Sequence, residues 1–206
     1  MDWFRNTDWN EEIEARFFEK LRQARDKGQC LRIQGCTLAR VHPTVALRLL
    51  QEYFKLGESN FALAQAYVDQ AAAYEALGEI DLAIQSYESA LERENEFPTS
   101  ITRAYLELPE LILKEDRREH YHQALSVLEK YSNHPKFPID RFQWHSMFAI
   151  ISKELGNTSS ACIHAKQALE EASRTHSGFQ NHSKLGLVGD DQRLTRQKLE
   201  AILQES

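Results

Sequence analysis

Apolar positions recur at helical spacing along most of this chain. From Asn10 to Lys27, Ile13, Phe17, Phe18 and Leu21 fall on one side and charged residues on the other, which predicts an amphipathic helix capped by Asp8 or Asn10. The clearest stretch is 64–97. There Ala64, Tyr67, Ala71 and Tyr74 make one stripe and Gly78 ends it. Ala83, Ile84, Tyr87, Ala90 and Leu91 make a second stripe, with Asp81 as the expected acidic cap. Small alanines face large tyrosines, which lets two antiparallel helices approach closely.

Weaker copies lie on both sides. A helix over Gln29–Arg40 is followed, after Pro43 at a first turn, by one carrying Ala46, Leu50 and Tyr53. After Pro98, Thr99 or Ser100 is expected to start a helix with Ile101, Ala104, Tyr105 and Leu108, and Pro109 to kink it or split it in two. A charged connector then leads to Ala124, Leu128 and Tyr131. The fourth copy begins near Ile139, turns at Gly156-Asn157 and returns through Ala161, Ala165 and Ala168. Ala46, Ala83, Ala124 and Ala161 stand 37, 41 and 37 residues apart, and helix pairs at a period near forty are the mark of a solenoid. Residues 173–189 carry no stripe, and an irregular stretch of that length is usually functional or disordered. A last helix from Asp190 or Asp191, with Leu194, Leu199, Ile202 and Leu203, would close the stack.

The central spacing, Tyr67-x2-Gln70-Ala71-x2-Tyr74, Gly78, then Ala83-x3-Tyr87 and Ala90, resembles the tetratricopeptide repeat (TPR) family, and the chain looks like a small bacterial-type TPR-like protein. Gln70-Ala71 stands where the family has Leu-Gly, and the closing proline is displaced to Pro98. The expected fold class is all-α, an α-solenoid of about four antiparallel helix pairs with an N-terminal helix and a C-terminal capping helix. One TPR-like domain is expected over 1–206: an aromatic segment and helix in 1–28, four pairs in 29–172, an irregular loop in 173–189 and the capping helix in 190–206. HEAT-like pairing is the alternative for the outer copies.

The resemblance implies a concave groove lined by the first helix of each pair. It places Gln65, Val68, Ala72, Glu75 and Ala76 there, with Asp69 beside them. In the fourth copy it places Gln143, Ser146, Ile150, Lys153 and Glu154, and in the first Leu31, Gly35, Leu38 and Arg32. TPR domains that hold a C-terminal carboxylate use Lys and Asn at such positions, and the central repeat has neither, so no clamp of that kind is expected. Trp3, Phe4 and Trp9 read as a terminal cap folded onto the first repeat, with an aromatic anchor for a partner as the alternative. His176, Phe179 and His182 of the late loop complete the candidate partner-binding residues.

A net charge of −6 offers no basic field to a phosphate backbone, so no nucleic acid is expected, and an acidic surface would steer a basic protein. The start carries acids where a secretory signal needs an apolar core, and no apolar run is long enough to span a membrane. No membrane partner and a cytoplasmic location are therefore expected. Three cysteines argue against a disulfide framework and for buried thiols. No phosphate-loop, nucleophile-elbow or zinc-protease motif is present. His120 with His122, and Cys162 with His164, are two apart and diverge on a helix, while His176 and His182 lack supporting ligands. No catalytic residue, cofactor or metal is expected. The reading is a non-enzymatic protein–protein interaction module that binds a specific protein partner in its groove. The alternatives are an immunity or antitoxin protein that neutralises a cognate bacterial toxin by direct binding, an enzyme with a site near 176–189, and a subunit whose groove is filled by another copy in a homo-oligomer.

Overall fold

The predicted stripes become helices in the computed structural model, which describes residues 3–57 and 62–205. Among them are ten α-helices and no strand. The fold is an all-α, TPR-like solenoid with four helix pairs, α2/α3, α4/α5, α6/α7 and α8/α9, preceded by α1 and followed by α10. The chain divides into two compact units, 1–104 and 105–206.

The first unit holds α1 (Glu11–Gln23), α2 (Lys27–Leu38), α3 (Pro43–Phe54), α4 (Leu63–Leu77) and α5 (Ile80–Glu96). Its core includes Phe17, Leu38, Leu49, Leu50 and Tyr53, none more than 1% exposed. Burying each such side chain contributes about 1.5–3 kcal/mol. Phe54 stacks on Tyr67 at 4.9 Å, joining α3 to α4. The second unit holds α6 (Ala104–Lys114, entered from the first unit's last residue), α7 (Tyr121–Lys130), α8 (Pro138–Glu154), α9 (Thr158–Ala172) and α10 (Arg193–Gln204). Tyr105 stacks on Tyr131 between α6 and the end of α7, and α10 packs on both α8 and α9.

The alanines that set the period, Ala46, Ala83, Ala124 and Ala161, are all 0% exposed. Small side chains at such buried positions let neighbouring helices pack closely. In the first pair Gly35 does the same job. A Cβ there would stand 2.9 Å from Leu50 Cγ, which is why Gly35 and the buried Leu31 and Leu38 belong to the core and not to a groove lining.

Several helix starts differ from expectation. Of Asp8 and Asn10, Asn10 is the cap, its Oδ1 accepting from the Ile13 amide at 2.9 Å. Glu79, not Asp81, occupies the N-cap of α5. Gly78 turns left-handed (φ 76°) and the Glu79 amide bonds back to the Tyr74 carbonyl, so α5 starts at once and Asp81 falls in its first turn. Neither Thr99 nor Ser100 opens α6. Thr102 lies just ahead of it, donating its amide to the buried Glu94 and accepting from the Ala104 amide. Pro109 does not split α6, which runs unbroken from Ala104 to Lys114. A proline there forfeits about 3 kcal/mol, and burial of Leu106, Leu108, Leu111 and Ile112, at 2% exposure or less, outweighs it. Of the three free cysteines only Cys30 is buried; Cys36 is exposed and Cys162 half-buried.

Both irregular ends are tied down. Trp3 and Trp9 set their rings against Phe17 at 5.4 and 5.5 Å, the capping arrangement, and Trp9 donates its indole N–H to Glu14. The fully buried Gln34 holds Asn6 by both backbone groups, donating to its carbonyl at 2.7 Å and accepting from its amide at 3.0 Å. In the late loop, Ser177 donates its amide to the Ser183 carbonyl and its hydroxyl to the His182 carbonyl. Ile139 donates to the Gly186 carbonyl at 2.8 Å, and Phe179 packs on Phe137. Arg196 of α10 reaches the Val188 carbonyl at 3.1 Å. No described helix is long and apolar enough to cross a membrane.

Candidate functional site

Two polar constellations arise from helix faces that are charged in the sequence but partly enclosed by the fold. In the first unit, α2 and α4 bring Arg32 to Asp69, with the guanidinium 2.9 Å from Oδ2. Gln65, one turn earlier on α4, donates to Oδ1 at 3.2 Å. Asp69 is 4% exposed, and burial holds its carboxyl above the usual range despite the opposing pull of Arg32, Gln65 and the Cys36 thiol. Although Cys36 as a residue is exposed, its sulfur faces Asp69. Desolvation there, followed by the adjacent carboxylate, pushes the thiol up to about 11, so it is not a ready nucleophile. Arg32, Gln65 and Asp69, expected along one groove, thus form one network. Val68 is only 7% exposed, and Glu75 accepts from the Tyr87 hydroxyl at 2.7 Å.

The second unit contains an open cleft of about 340 Å³. Its walls come from α6 (Glu110, Leu113, Lys114), α8 (Gln143, Ser146, Met147, Ile150, Glu154) and α10 (Thr195, Lys198), with Asp116, Arg118 and Tyr121 closing one end. The α8 positions repeat at three- and four-residue intervals, so one helix face makes the floor. Leu113, Phe142, Met147 and Ile150 supply its apolar part. Asp116 takes the left-handed region (φ 46°), which Asp tolerates better than most residues. That turn aims its carboxylate at the Tyr121 hydroxyl (2.9 Å) and at Arg118 Nε (3.1 Å), and Arg118 continues to Glu154 at 3.0 Å. Burial first, and the Asp116 hydrogen bond second, push the Tyr121 hydroxyl up to about 12, so it stays a neutral donor.

Four of the five fourth-copy positions expected in a groove, Gln143, Ser146, Ile150 and Glu154, line this cleft. Lys153 does not, and pairs with Glu205, the residue that caps the end of α10, at 2.8 Å. His176, Phe179 and His182 stay in the loop, where the His176 ring nitrogen accepts from the Gly178 amide. Trp3 and Trp9 are half-buried against the first unit's core. Arg118, Tyr121, Thr195 and Lys198 were not legible as site residues. The run 114–120 reads as a solvated charged connector, and α10 as a plain cap. The one available signal is the three-residue spacing of Thr195 and Lys198 on the polar side of α10. Among the described residues no cluster of three or more His, Cys, Asp or Glu side chains is placed to hold a metal.

No protein-family model matches the chain, and no curated protein matches it. Among solved structures it is similar to the crystal structure of MamA, with a TM-score of 0.59 over 77% of this chain and 86% of that one. The likeness is one of fold. At 20% sequence identity it carries the helical-repeat architecture and leaves the lining of the cleft to be read from this chain's own residues.

Proposed function

We propose that the chain is a non-enzymatic protein-binding scaffold, and that its partner is a polypeptide segment held in the cleft between α6, α8 and α10. The observation that carries this reading is the cleft's lining. An apolar floor at Met147 and Ile150 is ringed by Glu110, Glu154, Lys114 and Lys198, both signs of charge around a strip that suits alternating side chains of a peptide or helix. Gln143 adds a hydrogen-bonding group that fixes orientation, while the buried Ser146 hydroxyl is committed to the Phe142 carbonyl at 2.6 Å. Arg32 and Gln65, the half-buried members of the first unit's network, are a further candidate contact, with Asp69 buried behind them. A cytoplasmic scaffold is consistent with this chemistry.

The test is affinity capture from the native host with the full chain, comparing Ile150→Lys in the cleft with Ile163→Lys, an exposed position on α9. A genuine partner is retained by the wild type and by Ile163→Lys and lost, at least tenfold, by Ile150→Lys. Equal retention by both variants, or no retained protein at all, ends the proposal. Should the captured partner be a toxin encoded beside this gene, the immunity reading becomes the specific form of it.

A further inference from the structure

The α8–α9 hairpin carries a histidine pair that the cleft does not use. His145 and His164 are 19 residues apart, on opposite sides of the Gly156-Asn157 turn, and their Nδ1 atoms stand 2.9 Å apart. Aromatic rings enclose the pair. Phe148 lies 4.0 Å from the His164 ring centre, and Trp144 lies 4.7 Å from His145 and 5.4 Å from His164. The Trp144 indole is itself fixed, donating to the Leu128 carbonyl of α7 at 2.8 Å.

Two imidazoles meeting through Nδ1 share one hydrogen bond, which needs one protonated and one bare nitrogen. A first added proton can go to the far nitrogen of the donor ring and leave that bond intact, or strengthen it. A second must go on the bare Nδ1, setting two N–H groups and two positive charges against each other at hydrogen-bond distance. We propose that His145 and His164 form an acid-sensitive latch, holding α9 against α8 while the pair carries at most one proton and releasing that hairpin when it takes up a second.

The surroundings are poor in compensating charge. His164 and Glu171 act on His145 from α9, and Arg141 from its own helix. Glu171 is already held by Arg141 and Arg174 at 3.0 and 2.8 Å. Desolvation, with His164 second, lowers His145 to about 4, and desolvation lowers His164 as well. The sign follows: a histidine whose folded pKa lies below its unfolded value stabilises the fold fully above about 6.5 and loses that contribution as pH falls toward 4. Between pH 7 and pH 5 the loss for His145 is roughly twentyfold in the folding constant, and about fivefold once solvent screening of a half-buried ring is allowed for. The same helix presents Gln143, Met147 and Ile150 to the cleft. The latch itself stands on the α8–α9 geometry, whatever the cleft binds.

The test follows the ring Cε1–H signals of all eight histidines by NMR in the full chain from pH 8 to pH 4. The expected result is two rings that resist protonation to lower pH than an ordinary imidazole, with α8 and α9 amides losing exchange protection together with those two rings. A companion measurement compares urea unfolding of the wild type and of H145Q/H164Q at pH 7 and pH 5. The wild type should lose about five- to twentyfold more folding constant than the double variant. Ordinary titration of every ring, or equal pH dependence of the two proteins, overturns the latch. If the variant does not fold, the wild-type titration alone decides.

Discussion

Breaking the Arg32–Asp69 pair from its two ends should have unequal effects, because the two partners are unequally buried. Asp69 is 4% exposed and Arg32 20%. In Arg32→Met the carboxylate keeps only the Gln65 amide at 3.2 Å and the Cys36 thiol, leaving a buried charge short of its main partner. Stranding one member of a buried pair costs about 3–5 kcal/mol, and the partial opening to solvent at Arg32 puts this variant near the lower end, about 3 kcal/mol. In Asp69→Ala the freed guanidinium turns its exposed edge to water, and the cost falls to about 1–2 kcal/mol. The double variant removes both charges and should lie within about 1 kcal/mol of the wild type. The resulting cycle gives a coupling of about 3–5 kcal/mol. A pH signature accompanies it. Because burial raises the Asp69 carboxyl above its usual range, ionisation there opposes folding. Asp69's contribution is therefore most favourable below its unfolded pKa and declines as pH rises through the raised folded value. Arg32→Met should steepen that decline and Asp69→Ala abolish it. Hydrogen exchange of the α4 amides in the full chain reads the first unit directly. A result in which Arg32→Met is no more damaging than Asp69→Ala, or the coupling is below about 0.5 kcal/mol, would refute the reasoning.

Gly186→Ala places a Cβ 2.6 Å from Phe137 Cβ at a φ of 66°, so the late loop should lose about 1–3 kcal/mol of local stability. The readout is exchange protection of the Ile139 amide, which bonds to the Gly186 carbonyl, and unchanged protection would contradict the docking described. Gln34→Leu removes the side chain that satisfies both backbone groups of Asn6, and should cost about 1–2 kcal/mol and red-shift emission from Trp3 as the N-terminal segment lifts. A variant with the wild-type melting temperature and emission would mean the segment is held by its rings alone.

Much of the fold was legible in the chain. Ala46, Ala83, Ala124 and Ala161 are buried at one period because close helix packing leaves no room for a larger side chain, and that demand is written directly into spacing. The cleft was half legible. Gln143, Ser146, Ile150 and Glu154 follow from the face of one helix, which periodicity supplies. Arg118 and Lys198 were hidden because a charged connector and a solvated helix face look the same in sequence whether or not another helix stands opposite. Leu31, Gly35 and Leu38 went the other way, into the core, because α2 packs against α3 with the side that the repeat pattern assigned to a groove. Thr102 replaced Thr99 and Ser100 ahead of α6 for a similar reason: the buried Glu94, eight residues upstream, selects the residue it bonds.

What the sequence by itself determined is local: where helices run, which stripe each one buries, and that small and large residues alternate between paired helices. These follow from backbone geometry and from the removal of apolar surface from water, both of which act over a few turns. The tertiary structure alone decided which polar groups meet: Arg32 with Asp69, Arg118 with Glu154, and His145 with His164. Hydrogen bonds and ion pairs depend on fractions of an ångström between groups tens of residues apart. No periodicity encodes such a distance, and it exists only once the helices have packed.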